Sequence, residues 1–204
     1  MLVRILKLLL LFLTISIGFS FVSKRKKKLP DICLSIEEKK LFELVNNYRI
    51  DKGLKEIPLS ISLTFVAQTH AKDLHNNRPA ASDSCNMHSW SKTRDWSDCC
   101  YDKSHRQKEC MWDKPKQLTN YNGKGFELSH GFGQLKEFKG DTVTAESALK
   151  GWINSVHHNN VLINKKVWSK IEWNAMGIGI HKDFICLCLG EEKDTEEKKF
   201  IECN

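Results

Sequence analysis

The first half of the chain carries apolar residues at helical spacing in two segments. In the first, they follow the sequence SIEE at 35–38, which has the form of a capping box, and the spacing predicts a helix that ends at Gly53. In the second, Pro58 precedes an apolar stripe over residues 60–76 that contains His70. A histidine in such a stripe is either a hydrogen-bonded core residue, which is the interpretation that we prefer, or a ligand.

The second half predicts one more helix and a pair of strands. The apolar face of a helix over 144–158 contains Ala145, Ala148, Leu149, Trp152 and Val156. The sequences AMGIGI at 175–180 and DFICLCLG at 183–190 predict two strands joined by a short turn. The glycine-bounded GFELSHGFG at 125–133 predicts an edge strand or a turn into one. This order of elements predicts an α+β domain built in layers.

Residues 77–124 lack a clear period. This loop holds four cysteines and three tryptophans among many small polar residues, so we expect an ordered loop that depends on crosslinks. A short helix within it is predicted to stop before Pro115. The three tryptophans either fill the space beneath the loop or form a surface for a partner; they are Trp90, Trp96 and Trp112.

The first 23 residues predict a signal peptide. Arg4 and Lys7 form a short basic start, an apolar run follows, and small residues near Ser20 and Ser23 suit a signal peptidase. The alternative is an uncleaved N-terminal anchor, although the run is short against the roughly 20 residues of a spanning helix. We therefore predict a secreted or periplasmic protein, which contacts a membrane only through this leader if the leader is not cleaved.

The basic character of the chain belongs to its start. The net charge is +7, and residues 1–28 carry seven basic residues and no acidic one, so the rest is neutral. Nucleic-acid binding needs a basic face on the folded part, and we exclude it. We divide the chain into the leader (1–23), a basic junction (24–32) and a single domain (33–204).

Eight cysteines in an exported chain favour disulfides. The neighbours Cys99 and Cys100 are not expected to bond to each other. Cys186 and Cys188 project from one face of a strand at a separation too large for an easy bridge, so each pairs elsewhere or stays free. Cys203 is expected to tie down the C-terminal tail. A rival interpretation takes the cysteines and histidines of the loop as zinc ligands: Cys85, His88, Cys99, Cys100, His105 and Cys110.

Several segments in order resemble one known family over residues 36–190. They are LFELVNNYRIDKGLKEIPLSISLTFVAQTHAKDL, MHSW, FELSHG, GWINSVHHNNVLI and MGIGI. Together they resemble the CAP domain superfamily of cysteine-rich secretory proteins, antigen 5 and pathogenesis-related proteins (SCP-like), in its bacterial form. The resemblance implies a three-layer helix–sheet–helix sandwich with a cleft lined by histidine and glutamate, here with a long disulfide-rich loop inserted.

The resemblance also implies the residues of that cleft. They are His88, Glu127 and His158, because the spacing S-x-x-H selects His158 and not His157. Two imidazoles and a carboxylate suit a divalent metal ion, zinc in particular, with water at the fourth position. Many members carry a second glutamate where this chain has Ser155. The alternative is that the three residues only hold the cleft together by hydrogen bonds.

Three functions remain open on the sequence. The one we prefer is an exported binding module whose cleft holds a divalent metal or a small ligand, with a lipid or a protein as further possible partners. The second is a metal-assisted hydrolase that uses the same residues, although no nucleophile motif such as G-x-S-x-G is present. The third is a disulfide-hardened structural module without cleft activity. We expect binding more than catalysis.

Overall fold

The computed structural model describes residues 26–81, 84–132 and 143–203. The predicted leader (1–23) lies outside these residues. The elements in chain order are α1 (Ile36–Asp51), α2 (Ile61–Asn77), α3 (Lys108–Trp112), α4 (Lys114–Leu118), β1 (Phe126–Gly131), α5 (Ala145–Asn154), α6 (Val156–Leu162), a 3-10 turn (Lys166–Trp168), β2 (Ala175–His181) and β3 (Phe184–Gly190). No helix within the described ranges is long and apolar enough to cross a membrane.

The described strands form one antiparallel sheet with the order β1-β3-β2. The hairpin is confirmed, since Ala175 of β2 pairs with Gly190 of β3 and His181 pairs with Phe184. The predicted edge strand is also confirmed: Phe126 of β1 pairs with Leu189, and no other described strand flanks β1. The central position of β3 explains its continuous apolar sequence, because a strand buried on both faces has no solvent-facing side.

Helices cover both faces of this sheet, which confirms the three-layer α+β architecture. On one face, α1 packs against α5 and β2, and α5 packs against β1. We call this the α1 layer; its buried side chains include Leu41, Val45, Trp152, Ile185 and Leu187. On the other face, α2 packs against β2 and β3, and the cysteine-rich loop joins it. We call this the α2 layer; it includes Leu63, Ala67, Trp90, Cys186 and Cys188.

The approach of α2 to β2 depends on two glycines. A Cβ atom on Gly177 would lie 2.0 Å from the backbone carbon of Leu63, and one on Gly179 would lie 2.2 Å from that of Ala67. Any larger residue would push the helix off the sheet. The alternation of glycine in MGIGI therefore places the α2 backbone directly on the strand.

The third predicted helix is interrupted. We expected one helix over 144–158, but α5 ends at Asn154 and Ser155 takes an extended conformation (φ −92°, ψ 114°) before α6 begins at Val156. Val156, which was expected on the apolar face of that helix, is therefore 71% exposed. Proline and glycine are absent from the break, so local sequence gives no sign of it.

Disulfides hold the cysteine-rich loop, as expected. Cys85 bonds to Cys100 and Cys99 bonds to Cys110, so the rival interpretation of these cysteines as zinc ligands is wrong. Trp90 exchanges two backbone hydrogen bonds with Cys99, which folds the loop back on itself. Two short helices, α3 and α4, replace the single predicted one, and Pro115 lies in the first turn of α4, where a proline is tolerated.

The two ends of the described chain are fastened together beside the start of α2. Cys33 bonds to Cys203, as expected for the tail, and Leu29 and Ile32 pack against Ile61. The charged tail also makes polar contacts with the domain. Asp194 accepts hydrogen bonds from Ser60 Oγ and from both the backbone and hydroxyl of Ser62. Through Leu29 and Ile32, the described part of the basic junction packs onto the domain.

Candidate functional site

A buried carboxylate on β1 forms the centre of the site. The Glu127 side chain is 4% exposed, and three side chains contact its two oxygens. His88 Nδ1 lies 2.9 Å from Oε1, Ser129 Oγ donates to Oε1 at 2.6 Å, and His70 Nδ1 lies 2.5 Å from Oε2. The strand fixes this arrangement, because Glu127 and Ser129 are two residues apart and project from the same face.

His70 approaches the carboxylate from α2. Its ring is fully buried, stacks on Trp90 with 4.2 Å between the ring centroids, and places Nε2 2.9 Å from the carbonyl oxygen of Ser89. A carbonyl oxygen only accepts, so Nε2 carries a hydrogen and donates it. The preferred interpretation of His70 as a hydrogen-bonded core residue agrees with these contacts, and its partner is the predicted site residue Glu127.

His88 approaches the same carboxylate from the loop. A tight turn positions it: Asn86 Oδ1 accepts from the backbone N–H of His88, and the Asn86 carbonyl accepts from that of Ser89. Ser89 Oγ in turn accepts from the backbone N–H of Tyr101 on the returning strand of the loop. Because a carboxylate only accepts, Nδ1 donates to Glu127, and in the neutral ring Nε2 then carries the lone pair. Among the described residues none hydrogen-bonds to Nε2, and the side chain is 19% exposed.

His158 lies at the border of the site. It is half-buried on α6, whereas its neighbour His157 is exposed. The choice of His158 over His157 as a cleft residue stays a prediction. The structure brings His88 and Glu127 into direct contact but leaves His158 without a hydrogen bond to either of them.

The charges of the site follow from burial and from these contacts. Burial alone raises the pKa of Glu127, but the charge and hydrogen bond of His70, together with His88, outweigh it and hold the pKa below its ordinary value. Burial, and after it the charge of His88, lowers the pKa of His158. Glu127 is therefore an anion and His158 a neutral imidazole at neutral pH, which is the form that binds a metal.

Further polar groups lie around the site. Trp152 Nε1 of α5 donates to the carbonyl oxygen of Ser129 at 3.1 Å. His130 lies against α5, where its Nε2 is 3.3 Å from Ser147 Oγ, and burial lowers its pKa. Tyr101 packs edge-on against His88, and burial raises its pKa. The α1 layer thus contacts the site through β1 and α5.

Sequence reasoning missed two members of this cluster. Ser129 lies two positions after Glu127, so strand alternation was a sufficient signal for it. Cys186 gave no such signal: its Sγ lies 3.6 Å from His70 Nδ1, and only the pairing of Ser129 with Cys186 across the sheet brings it to the site.

The side chains closest to a metal-ligand arrangement differ from the predicted set. Among the described residues, one group of three has its ligand atoms within 4.8 Å of one another, and it consists of His70, Glu127 and Cys186. The predicted trio was His88, Glu127 and His158. Glu127 is common to both, and it uses different oxygens toward His70 and His88.

This chain matches one family model and is similar to three solved structures that are described here. The family model of CAP, the cysteine-rich secretory protein family, matches residues 42–183. An outer surface protein from Borrelia burgdorferi superposes with a TM-score of 0.50 at 15% identity, over 83% of this chain and 100% of that one. No curated protein matches this chain.

Two longer bacterial proteins are more distant in structure. An extracellular protein containing an SCP domain from Bacillus anthracis gives a TM-score of 0.48 at 17% identity over 76% of this chain. A cysteine-rich secretory protein from Staphylococcus aureus gives 0.45 at 17% identity over 76%. This chain spans 40% and 38% of their respective lengths.

Proposed function

Because the chain belongs to the CAP family of cysteine-rich secretory proteins, whose model matches most of its length, we propose that it is an exported binding module. Its cleft holds a divalent metal ion or a small ligand between His88 and His158. The orientation of His88 carries this proposal. Its Nδ1 is fixed on Glu127 Oε1, which in the neutral ring leaves Nε2 with a lone pair, on a side chain that is 19% exposed.

Glu127 has the role of a positioning residue in this cleft. A histidine that ligates a metal through one nitrogen usually donates the other N–H to a carboxylate, which fixes the tautomer and raises the basicity of the ligand. The His88–Glu127 contact has this form. Both Glu127 oxygens are already engaged by His70, His88 and Ser129, so the carboxylate serves the cleft through His88.

The residues present fit a divalent ion such as zinc. His158 is neutral at physiological pH, because burial lowers its pKa, and a neutral imidazole is the ligating form. His88 lies close enough to His158 for the two rings to interact electrostatically. When bound, such an ion polarises a ligand or a water molecule. The protein side chains hold and orient it.

Export is part of the proposal. The described chain contains three disulfides, which persist in oxidising compartments outside the cytoplasm. The first 23 residues have the pattern of a signal peptide. Both observations support a secreted or periplasmic protein, with a lipid, a protein or a small molecule as its further partner.

Zinc titration by calorimetry tests the cleft. The protein should begin at residue 24, because Leu29 and Ile32 are buried in the domain. We expect zinc affinity to fall at least tenfold in His158→Ala and to stay unchanged in the matched variant His157→Ala, whose side chain is exposed. Equal binding by both variants contradicts the cleft site. Hydrolysis of a peptide or ester library that is lost in His158→Ala would support the hydrolase in place of the binding module.

A further inference from the structure

Inside the α2 layer, three side chains with metal-binding atoms converge at a point that the cleft does not use. His70 Nδ1 lies 2.5 Å from Glu127 Oε2 and 3.6 Å from Cys186 Sγ, and all three atoms lie within 4.8 Å of one another. His70 and Cys186 are fully buried and the Glu127 side chain is 4% exposed. Cys186 is not in a disulfide.

The hydrogen bonds of His70 require a positive particle at this point. Nε2 faces the Ser89 carbonyl, so it carries a hydrogen, and Nδ1 of a neutral ring then presents a lone pair. That lone pair faces an oxygen of the Glu127 carboxylate. Two lone pairs do not face each other in a buried site without cost, so either a proton or a metal ion lies between them.

One distance and the donor types fit a metal ion. The other distance, 2.5 Å from Nδ1 to Oε2, is that of a hydrogen bond, so a proton holds this position when no ion is bound. Zinc binds nitrogen at about 2.0–2.1 Å and thiolate at about 2.3 Å, which places the two ligand atoms of a tetrahedral site about 3.5 Å apart. The observed separation of Nδ1 and Sγ is 3.6 Å. The Ser89 carbonyl supplies the outer contact that fixes a ligating imidazole.

We propose that His70 Nδ1, Glu127 Oε2 and Cys186 Sγ form an interior site for zinc or a similar thiophilic divalent ion, separate from the cleft. Imidazole, carboxylate and thiolate together suit zinc among the common divalent ions. The ion binds as the thiol loses its proton to solvent, and the short contact between Nδ1 and Oε2 opens by less than about 1 Å to admit it.

The interior ion is enclosed when the chain folds. Trp90 stacks on the His70 ring, and its backbone pairs with that of Cys99, which is crosslinked to Cys110. The site is therefore filled before the loop closes. The proposal depends on the proposed cleft only in sharing Glu127, which turns Oε2 toward the interior ion and Oε1 toward His88.

Cobalt is the probe for this site, because thiolate ligation gives Co²⁺ a sulfur-to-metal charge-transfer band in the near ultraviolet that nitrogen and oxygen ligands do not give. The protein is produced with cobalt in the medium, so that the chain folds in the presence of the ion. We expect two cobalt ions per chain and the band. In Cys186→Ala we expect the band to vanish and the cobalt content to fall by half, whereas the matched variant Cys188→Ala keeps both.

The variants separate this proposal from that of the cleft. In His158→Ala, half of the cobalt is lost and the band remains if both proposals hold. One ion per chain with a band that depends on Cys186 supports the interior site and contradicts the cleft. A wild-type protein without the band, or a band that persists in Cys186→Ala, overturns the interior site. Cys186→Ser, which keeps the size of the side chain, repeats the test if the alanine variant does not fold.

Discussion

The two layers that cover the sheet are built on different principles. The α1 layer is an apolar interface in which Leu41, Val45 and Trp152 meet the strands. The α2 layer combines glycines, two disulfides and a buried polar cluster around Glu127. The difference teaches how the two faces of one sheet are covered: one layer provides stability by burying apolar area, and the other holds charged groups in place at the cost of desolvating them.

Removing a disulfide is expected to have the largest effect on stability, and the two disulfides differ in their expected effect on the cleft. Replacing both Cys33 and Cys203 by alanine opens a loop with a sequence separation of 170, and we expect a loss of about 5 kcal/mol in the free energy of unfolding. Replacing both Cys85 and Cys100 by alanine opens a loop with a sequence separation of 15, and we expect a loss of about 3 kcal/mol in the same free energy. Denaturant unfolding measures both.

The smaller of these losses should have the larger functional effect. The bond from Cys85 to Cys100 brackets His88 in the loop, whereas the bond at the chain ends lies beside α2. We expect zinc affinity to fall when the loop disulfide is removed and to stay unchanged when the terminal one is removed. The opposite order would show that the loop does not position His88.

A buried carboxylate in each layer allows the two layers to be compared directly. Glu127→Gln removes the buried anion that His70 and His88 contact, and we expect a loss of about 4 kcal/mol, as for other broken buried pairs. Glu38 of α1 is also buried, but its donors are neutral: Ser35, Gln68 and the backbone of Ile180. We expect Glu38→Gln to cost about 1 kcal/mol. Equal losses in denaturant unfolding would contradict a charged network at Glu127.

Substitutions at two glycines test how closely α2 and α5 pack against their neighbours. In Gly179→Ala the new methyl group meets the Ala67 backbone at 2.2 Å, and we expect a loss of about 3 kcal/mol. In Gly151→Ala it meets only the edge of the His130 ring at 3.1 Å, and the gain in helix propensity of about 1 kcal/mol offsets the contact. Thermal unfolding of the two variants checks the contrast. A tolerated Gly179→Ala would contradict direct contact between α2 and β2.

The smallest effect concerns pH. Burial lowers the pKa of His130 in the folded chain. In the unfolded chain this imidazole has its ordinary pKa of about 6.5. Just below a pH of about 6.5 it therefore binds a proton in the unfolded state and stays neutral in the folded state. Stability therefore falls as the pH decreases from about 6.5 toward the lowered pKa of the folded state. His130→Gln should show a shallower decline than the wild type, with pH 8 as the reference at which neither state is protonated. Identical slopes would contradict the shift.

Local patterns predicted most of the framework and part of the site. The first two helices and the hairpin follow from periodicity within about fifteen residues, and the family resemblance placed His88 and Glu127 at one cleft. The break at Ser155 was not predictable, because no breaker residue marks it. The contacts of His70 with Glu127 and Cys186 span sequence separations of 57 and 116, so they exist only once the sheet and α2 have assembled.

Nuclear magnetic resonance of the histidine ring nitrogens tests the central claim most directly, because that claim is that Glu127 fixes the tautomer of His88. Long-range proton–nitrogen correlation at pH 8, on metal-free protein that begins at residue 24, identifies which nitrogen carries the hydrogen. We predict that His88 carries it on Nδ1 and leaves Nε2 unprotonated. A His88 ring with the hydrogen on Nε2 and a bare Nδ1 would contradict the account.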